Sequence, residues 1–274
     1  MSNVFLIIAK THLHAGSGDS NFGVIDKLVQ RDPSTGLPCI YASSLKGAFR
    51  EYFDQVVDPS EEKGNTIFGK DGKKGKIIFH QANLLSLPAR SNQYPFFNVT
   101  APMAIQQLLD DAKLLGSSLS QKDKLEKLAK ESKNGKIVIF GVEPAPASLK
   151  IEEFEDDNIS VSEEDFSELS SLIGDRIAIV SDEYFLNLTS DYSLPVIARN
   201  NLENGQSKNL WYEQVIPRES RFYFGLTDLP GVTGKEVFYN EFLSEKVVQI
   251  GANATIGYGQ CVINPLKLDQ NESK

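Results

Sequence analysis

Four groups of residues could do chemistry. Ser43 and Ser44 stand where an apolar helical pattern begins, and Lys46 follows inside it. The first N–H groups of a helix have no internal partners and lie at the positive end of its dipole, so hydroxyls and a lysine there make an anion site. A helix cap with an exposed lysine would look the same in sequence. Asp26 lies upstream in a polar loop. A loop aspartate ordinarily is solvated or caps a turn, but one brought near bound phosphate can hold a metal or orient a proton. His12 and His14 are two apart, a poor zinc set, and His14 suits either a polar core position or acid–base work near neutral pH. Glu213 is a further carboxylate for the same centre, on a strand face. Gly251, Gly257 and Gly259 make a loop that lets backbone N–H groups approach phosphates, or simply a tight turn. Their spacing matches neither a Walker loop nor a dinucleotide fingerprint.

The elements that must position these groups read as follows. Residues 3–10 are apolar on both faces, which predicts a strand central in a covered sheet. Residues 11–27 are loop, and Asp32–Gly36 is a turn by its chemistry. Leu45, Phe49, Tyr52, Phe53 and Val56 follow a helical spacing with Ser43 as N-cap. Gly47 in that first turn costs roughly 1 kcal/mol against alanine, which makes sense if a ligand or backbone passes close by. Residues 54–75 read as a basic, glycine-rich loop, 76–84 as a strand, and Pro102 as the first turn of a helix. Residues 117–134 form a charged amphipathic helix, with a solvated face on an insertion as its plain role. A strand at 136–142 precedes an acidic linker at 144–161. Ser162 opens a helix closed by Gly174, with a strand at 176–180. Asn204-Gly205 predicts a hairpin whose arms carry Arg199, Lys208 and Trp211, an aromatic and cations able to wedge into a duplex. A surface hairpin with Trp211 packed home is the plain alternative. A strand at 221–226, a helix at 234–243 and two strands around the last glycine loop complete an α+β, ferredoxin-like sandwich.

Composition narrows the class. The chain has 274 residues, 41% hydrophobic and 24% charged, as an ordinary globular protein does. No run approaches the roughly 20 apolar residues of a membrane span, and the N-terminus lacks the pattern of a signal peptide. Cys39 and Cys261 read as reduced thiols of a cytoplasmic protein. Net charge is −9 with pI about 5.0, which counts against nucleic acid as a partner unless positive charge is local. It is local in Lys70–Lys76 and at Lys46 with Arg50, while acid gathers at Glu152–Asp157 and Glu163–Asp165.

The stretch Gly23–Arg50 resembles the RAMP superfamily of RNA-guided CRISPR effectors, most of all the repeated backbone subunit of the type III-B (Cmr) complex. Leu84–Ser91, Phe97–Pro102, Ile179–Phe185, Leu210–Pro217 and Gln249–Gly259 match further blocks in order. The resemblance implies a ferredoxin-like (RRM-like) core with a thumb-like hairpin at about 190–217. It implies one RAMP domain over residues 1–274, with insertions near 54–75, 110–135 and 144–175. It implies a metal-dependent endoribonuclease that cuts target RNA at regular intervals, with Asp26 catalytic and metal-holding. His14 and Glu213 stand beside it, and the ion is Mg²⁺ or Mn²⁺. Ser43, Ser44, Lys46, Arg50, Trp211, Gly251, Gly257 and Gly259 would contact RNA. Ala42 and Ala252 stand where the family commonly has glycine. Implied partners are guide (CRISPR) RNA, target RNA, further copies of the chain in a helical filament and the other Cmr subunits, with no membrane. A non-catalytic guide-binding filament scaffold and the equivalent type III-A subunit remain as alternatives.

Overall fold

The structure, a computed structural model, describes residues 3–18, 23–60, 62–131, 137–140, 142, 148–156, 159–161, 166–230 and 234–267. β1 (Val4–Ala9) leads by a long loop to β2 (Cys39–Ile40) and α1 (Ala42–Tyr52). A π-helical turn at Phe53–Val57 runs on to α2 (Glu62–Phe68) and a small hairpin, β3 (Gly69–Lys70) and β4 (Lys73–Lys74). Next come β5 (Ile77–Phe79), β6 (Ala82–Ala89), β7 (Phe97–Thr100), α3 (Pro102–Leu114), α4 (Lys122–Glu131) and β8 (Ile137–Ile139). β9 (Leu149–Ile151) and β10 (Phe154–Asp156) pair with each other, followed by β11 (Ile159–Val161), α5 (Ser170–Ile173), β12 (Ile177–Ile179) and α6 (Asp182–Leu188). A long hairpin, β13 (Val196–Glu203) and β14 (Gln206–Gln214), precedes β15 (Arg221–Asp228), α7 (Lys235–Glu241), β16 (Lys246–Gln249) and β17 (Gln260–Pro265).

The main sheet has the order β11-β8-β12-β7-β6-β15-β1-β17-β16, with β2 joined to β6 and β5 to β15. Its centre is antiparallel, and β7 and β12 pair in parallel. β1 lies near the middle, and its side chains alternate between two cores. Phe5, Ile7 and Ala9 enter one, and Val4, Leu6 and Ile8 the other. This two-sided burial is why the strand is apolar throughout. The first core stacks Phe5, Phe49, Phe224, Phe238 and Phe242, with the Phe49 ring 4.9 Å from Phe238 and 5.3 Å from Phe224. Each such ring contributes about 1.5–3 kcal/mol by its burial. The second core lies under α3 and α4, where Ile105, Leu108, Leu125 and Leu128 are fully buried. The helix expected over 117–134 is therefore a lid on a core as well as a solvated face.

Other expectations are corrected in detail. Residues 54–75 are not a loop but a π-helical turn, a helix and the lysine-bearing hairpin. The run 76–84 breaks at His80 into β5 and β6, and the acidic linker carries β9, β10 and β11. The start of the helix expected at Ser162 lies outside the described residues. Its end does close at Gly174, with φ +113°. Cys39 and Cys261 are both free thiols, and burial pushes each up to about 12. Among the described residues, no helix is long and apolar enough to cross a membrane.

Candidate nucleic-acid interface and catalytic centre

Four segments meet at the root of the β13–β14 hairpin. The hairpin turns at Asn204 and Gly205, with φ +50° and +78°, the left-handed pair its sequence demands. At its root the backbone N–H groups of Asp26 and Lys27 both donate to Tyr212 O at 3.1 Å, and Gln214 N donates to Lys27 O at 2.9 Å. The Asp26 carboxylate accepts the Tyr212 N–H at 2.7 Å. Asp26 is thus held at two points on one residue of β14, while its side chain stays exposed. That combination of fixed position and open access suits a reacting carboxylate.

Successive residues of a strand face opposite ways, so Glu213 points into the protein. It is 2% exposed. It accepts hydrogen bonds from Trp211 Nε1 at 2.7 Å, Asn253 Nδ2 at 2.8 Å and Lys27 Nζ at 3.1 Å. Burial alone would raise its carboxyl, but the three donors and the Lys27 charge outweigh it and hold the group below its usual value. Glu213 is therefore a permanent anion at neutral pH, with both oxygens engaged. It orients Lys27, Trp211 and Asn253 rather than moving a proton. Lys27 Nζ also lies 5.2 Å from the Trp211 ring centroid, a cation–π contact. Trp211 is half-buried, so it is a fixture of the hairpin root. The apolar side chains that the hairpin exposes include Val196, Leu202 and Leu210.

His14 is 4% exposed, and its Nδ1 lies 2.7 Å from Gln214 O. A carbonyl only accepts, so Nδ1 carries a proton and donates it to Gln214 O. The glycine loop packs on this residue. Ala252 N donates to His14 O at 2.9 Å, and a Cβ on Gly251 would stand 2.5 Å from that oxygen. A Cβ on Gly259 would stand 2.0 Å from Ile250 O. Gly257, at φ +82°, faces open space. The loop's N–H groups at Ala252, Ile256, Gly257, Tyr258 and Gly259 are all spent on carbonyls of the chain. Those parts of the loop clamp His14 and present Asn253 to Glu213.

The mouth of α1 also differs from expectation. Tyr41, not Ser43, is the N-cap, and it makes no side-chain cap. Ser43 and Lys46 are exposed on the first turns, and Gly47 has only open space around it. The buried Gln30 ties this mouth to the rest of the site. Its Nε2 donates to Ser44 Oγ at 2.9 Å and Gly16 O at 3.0 Å, while its Oε1 accepts Tyr41 N at 2.7 Å. Gln30 lies four positions along from Asp26, at most about 14 Å of chain. Arg50 is not free for phosphate. It donates to Gly69 O at 2.5 Å, Asn65 Oδ1 at 2.8 Å and Asp54 Oδ2 at 3.3 Å.

Lys27, Gln30 and Asn253 escaped sequence reasoning. Asn253 alone left a signal, as an asparagine among glycines, and its φ is +67°. Among the described residues no three His, Cys, Asp or Glu side chains gather around a cation. Asp26 offers one hard oxygen ligand. That fits an ion sharing its other ligands with RNA and water, not one caged by the protein. A groove of about 820 Å³, lined by Phe96, Tyr192, Leu194, Arg90 and Arg218, lies apart from this centre.

Fold and site together define an α+β protein with a ferredoxin-like core and a fixed, exposed carboxylate at the root of a thumb-like hairpin. The chain belongs to the RAMP superfamily, whose sequence profile matches residues 6–262. It is 31% identical over 274 aligned residues to the CRISPR system Cmr endoribonuclease Cmr4 of Pyrococcus furiosus, which covers 91% of this chain and 90% of that protein. Its fold is that of a chain in the cryo-EM structure of type III-B Cmr-beta bound to cognate target RNA. There the TM-score is 0.76 at 24% identity, over 96% of each chain. The crystal structure of oligomeric Cmr4 from Pyrococcus furiosus matches with a TM-score of 0.70 at 24% identity, over 95% of this chain and 97% of that one.

Proposed function

We propose that this chain is the repeated backbone subunit of a cytoplasmic type III-B CRISPR effector. Copies of it grip guide RNA in a filament with the other Cmr subunits, and each copy cuts paired target RNA once. The observation that carries this is the Asp26 carboxylate, exposed yet fixed by Tyr212 at the hairpin root. Ser43, Ser44 and Lys46 at the mouth of α1 hold guide phosphates, and Gln30 sets their distance from Asp26. The hairpin, through Leu202 and Leu210, parts the duplex so that one target linkage reaches Asp26.

Asp26 orients the ribose 2′-hydroxyl and takes up its proton as that oxygen attacks the adjacent phosphorus. An O2′–P bond forms and the P–O5′ bond breaks. The leaving O5′ takes a proton from water, giving a 2′,3′-cyclic phosphate and a 5′-hydroxyl. Glu213, braced by Asn253, holds Lys27 beside the anionic centre, and His14 fixes the floor beneath it. Mg²⁺ or Mn²⁺ bound by Asp26, phosphate oxygens and water would supply positive charge to the phosphate. Replacing Asp26 by Asn should lower target cleavage about 100-fold or more and leave guide affinity unchanged. Cutting that survives in the reconstituted assembly would make the chain a scaffold instead.

A further inference from the structure

The lysine hairpin β3–β4 breaks a local rule. Lys70 and Lys73 stand directly opposite each other across it, and like charges so placed destabilise a hairpin. Lys74 follows, and all three are exposed. None forms an ion pair with a described carboxylate. In a chain of net charge −9, residues 69–76 carry four lysines against one aspartate.

The hairpin is nonetheless built to hold still. Gly69 takes φ +92°, and a Cβ there would stand 2.7 Å from Gly75 N. A Cβ on Gly75 would stand 2.4 Å from Ile67 O, which accepts Lys76 N at 2.9 Å. Arg50 closes on Gly69 O from the end of α1. Repulsive charge displayed on a rigid mount, in ion pair with no described carboxylate, marks a functional surface.

Its position says which kind. Ser43, Lys46 and Arg50 follow i, i+3, i+7 spacing on α1, one helical face. The face runs about 10 Å from Ser43 to Arg50, and Arg50 delivers it to the hairpin. Two of the chain's acids that could serve as the counterpart are already engaged. Glu152 is held by Arg90, with its closest contact 2.7 Å, and Glu219 by Lys10 at 3.4 Å.

We propose that Lys70, Lys73 and Lys74 form a second phosphate grip, which carries a single-stranded RNA backbone onward from the face of α1. This rests on the proposed function, because it assumes that the α1 mouth holds guide RNA. The test uses the full-length chain and a single-stranded guide RNA. It compares the wild type with the triple variant Lys70→Gln, Lys73→Gln, Lys74→Gln and with Lys46→Gln. Each phosphate contact contributes about 0.7 to the slope of log affinity against log salt. The triple variant should therefore bind with a slope shallower by about 2, with a melting temperature at or above that of the wild type because the Lys70–Lys73 repulsion is gone, and Lys→Arg replacements should restore the slope. An unchanged slope in the triple variant, alongside weakened binding by Lys46→Gln, overturns the hairpin proposal alone. A wild type that ignores guide RNA overturns both. An unchanged RNA slope with loss of RNA-free self-association would assign the lysines to an acidic face of a second copy and overturn the phosphate grip.

Discussion

At the scale of the residue, the centre rests on a division of labour between neighbours on one strand. Tyr212 presents its backbone to Asp26 on one side, and Glu213 carries its charge inward on the other. Removing Glu213 strands three donors at once. Glu213→Ala should cost about 2–3 kcal/mol of stability, read by chemical denaturation, and should slow cleavage by loosening Lys27. A Glu213→Ala protein as stable as wild type would show that the donors find other partners. Acid behaviour has a definite sign. The folded carboxyl sits below its ordinary 4.5, so its contribution is fully present above that pH. It fades as pH falls through the lower, folded value. Glu213→Gln should flatten that acid limb of the stability curve and leave the neutral region parallel to wild type.

At the scale of the element, α1 makes a sharp test because its glycine has no structural excuse. Gly47 has ordinary helical backbone and open space where a Cβ would go. Gly47→Ala should stabilise the protein by about 0.5–1 kcal/mol. It should also weaken guide RNA binding if the backbone there is approached closely. A stabilised variant with undiminished RNA affinity would leave the glycine unexplained. The sequence made legible those elements whose cause is local. The apolar run of β1, Pro102 at the start of α3 and Asn204-Gly205 at the hairpin turn each carry their own instruction. Elements held by distant partners stayed hidden. The π-helical turn and α2 depend on Arg50 reaching Asp54, Asn65 and Gly69, and a seven-residue helix has little propensity to announce itself. The candidate site follows the same division. Asp26 stood out through resemblance. Lys27, Gln30 and Asn253 act through contacts 11 to 186 residues away along the chain, which no local pattern records.

At the scale of the whole molecule, the contacts that fix Asp26 and Glu213 run within one chain. Asp26 is fixed by Tyr212 of its own hairpin, and Glu213 gathers Lys27, Trp211 and Asn253 from the same polypeptide. A head-to-tail array of such copies repeats one Asp26 per step. Cuts along a bound target should then recur at the spacing of the copies and act independently. Assemblies reconstituted from equal amounts of wild type and Asp26→Asn should cut at every position, each at about half the wild-type extent. If instead a neighbour supplied an essential group, blocked by the same substitution, each cut would need two intact copies and would fall to about a quarter. Mapping target fragments from the mixed assembly separates the two. Equal, half-strength cuts would show that each cut depends on the Asp26 of one subunit, with the filament setting the spacing.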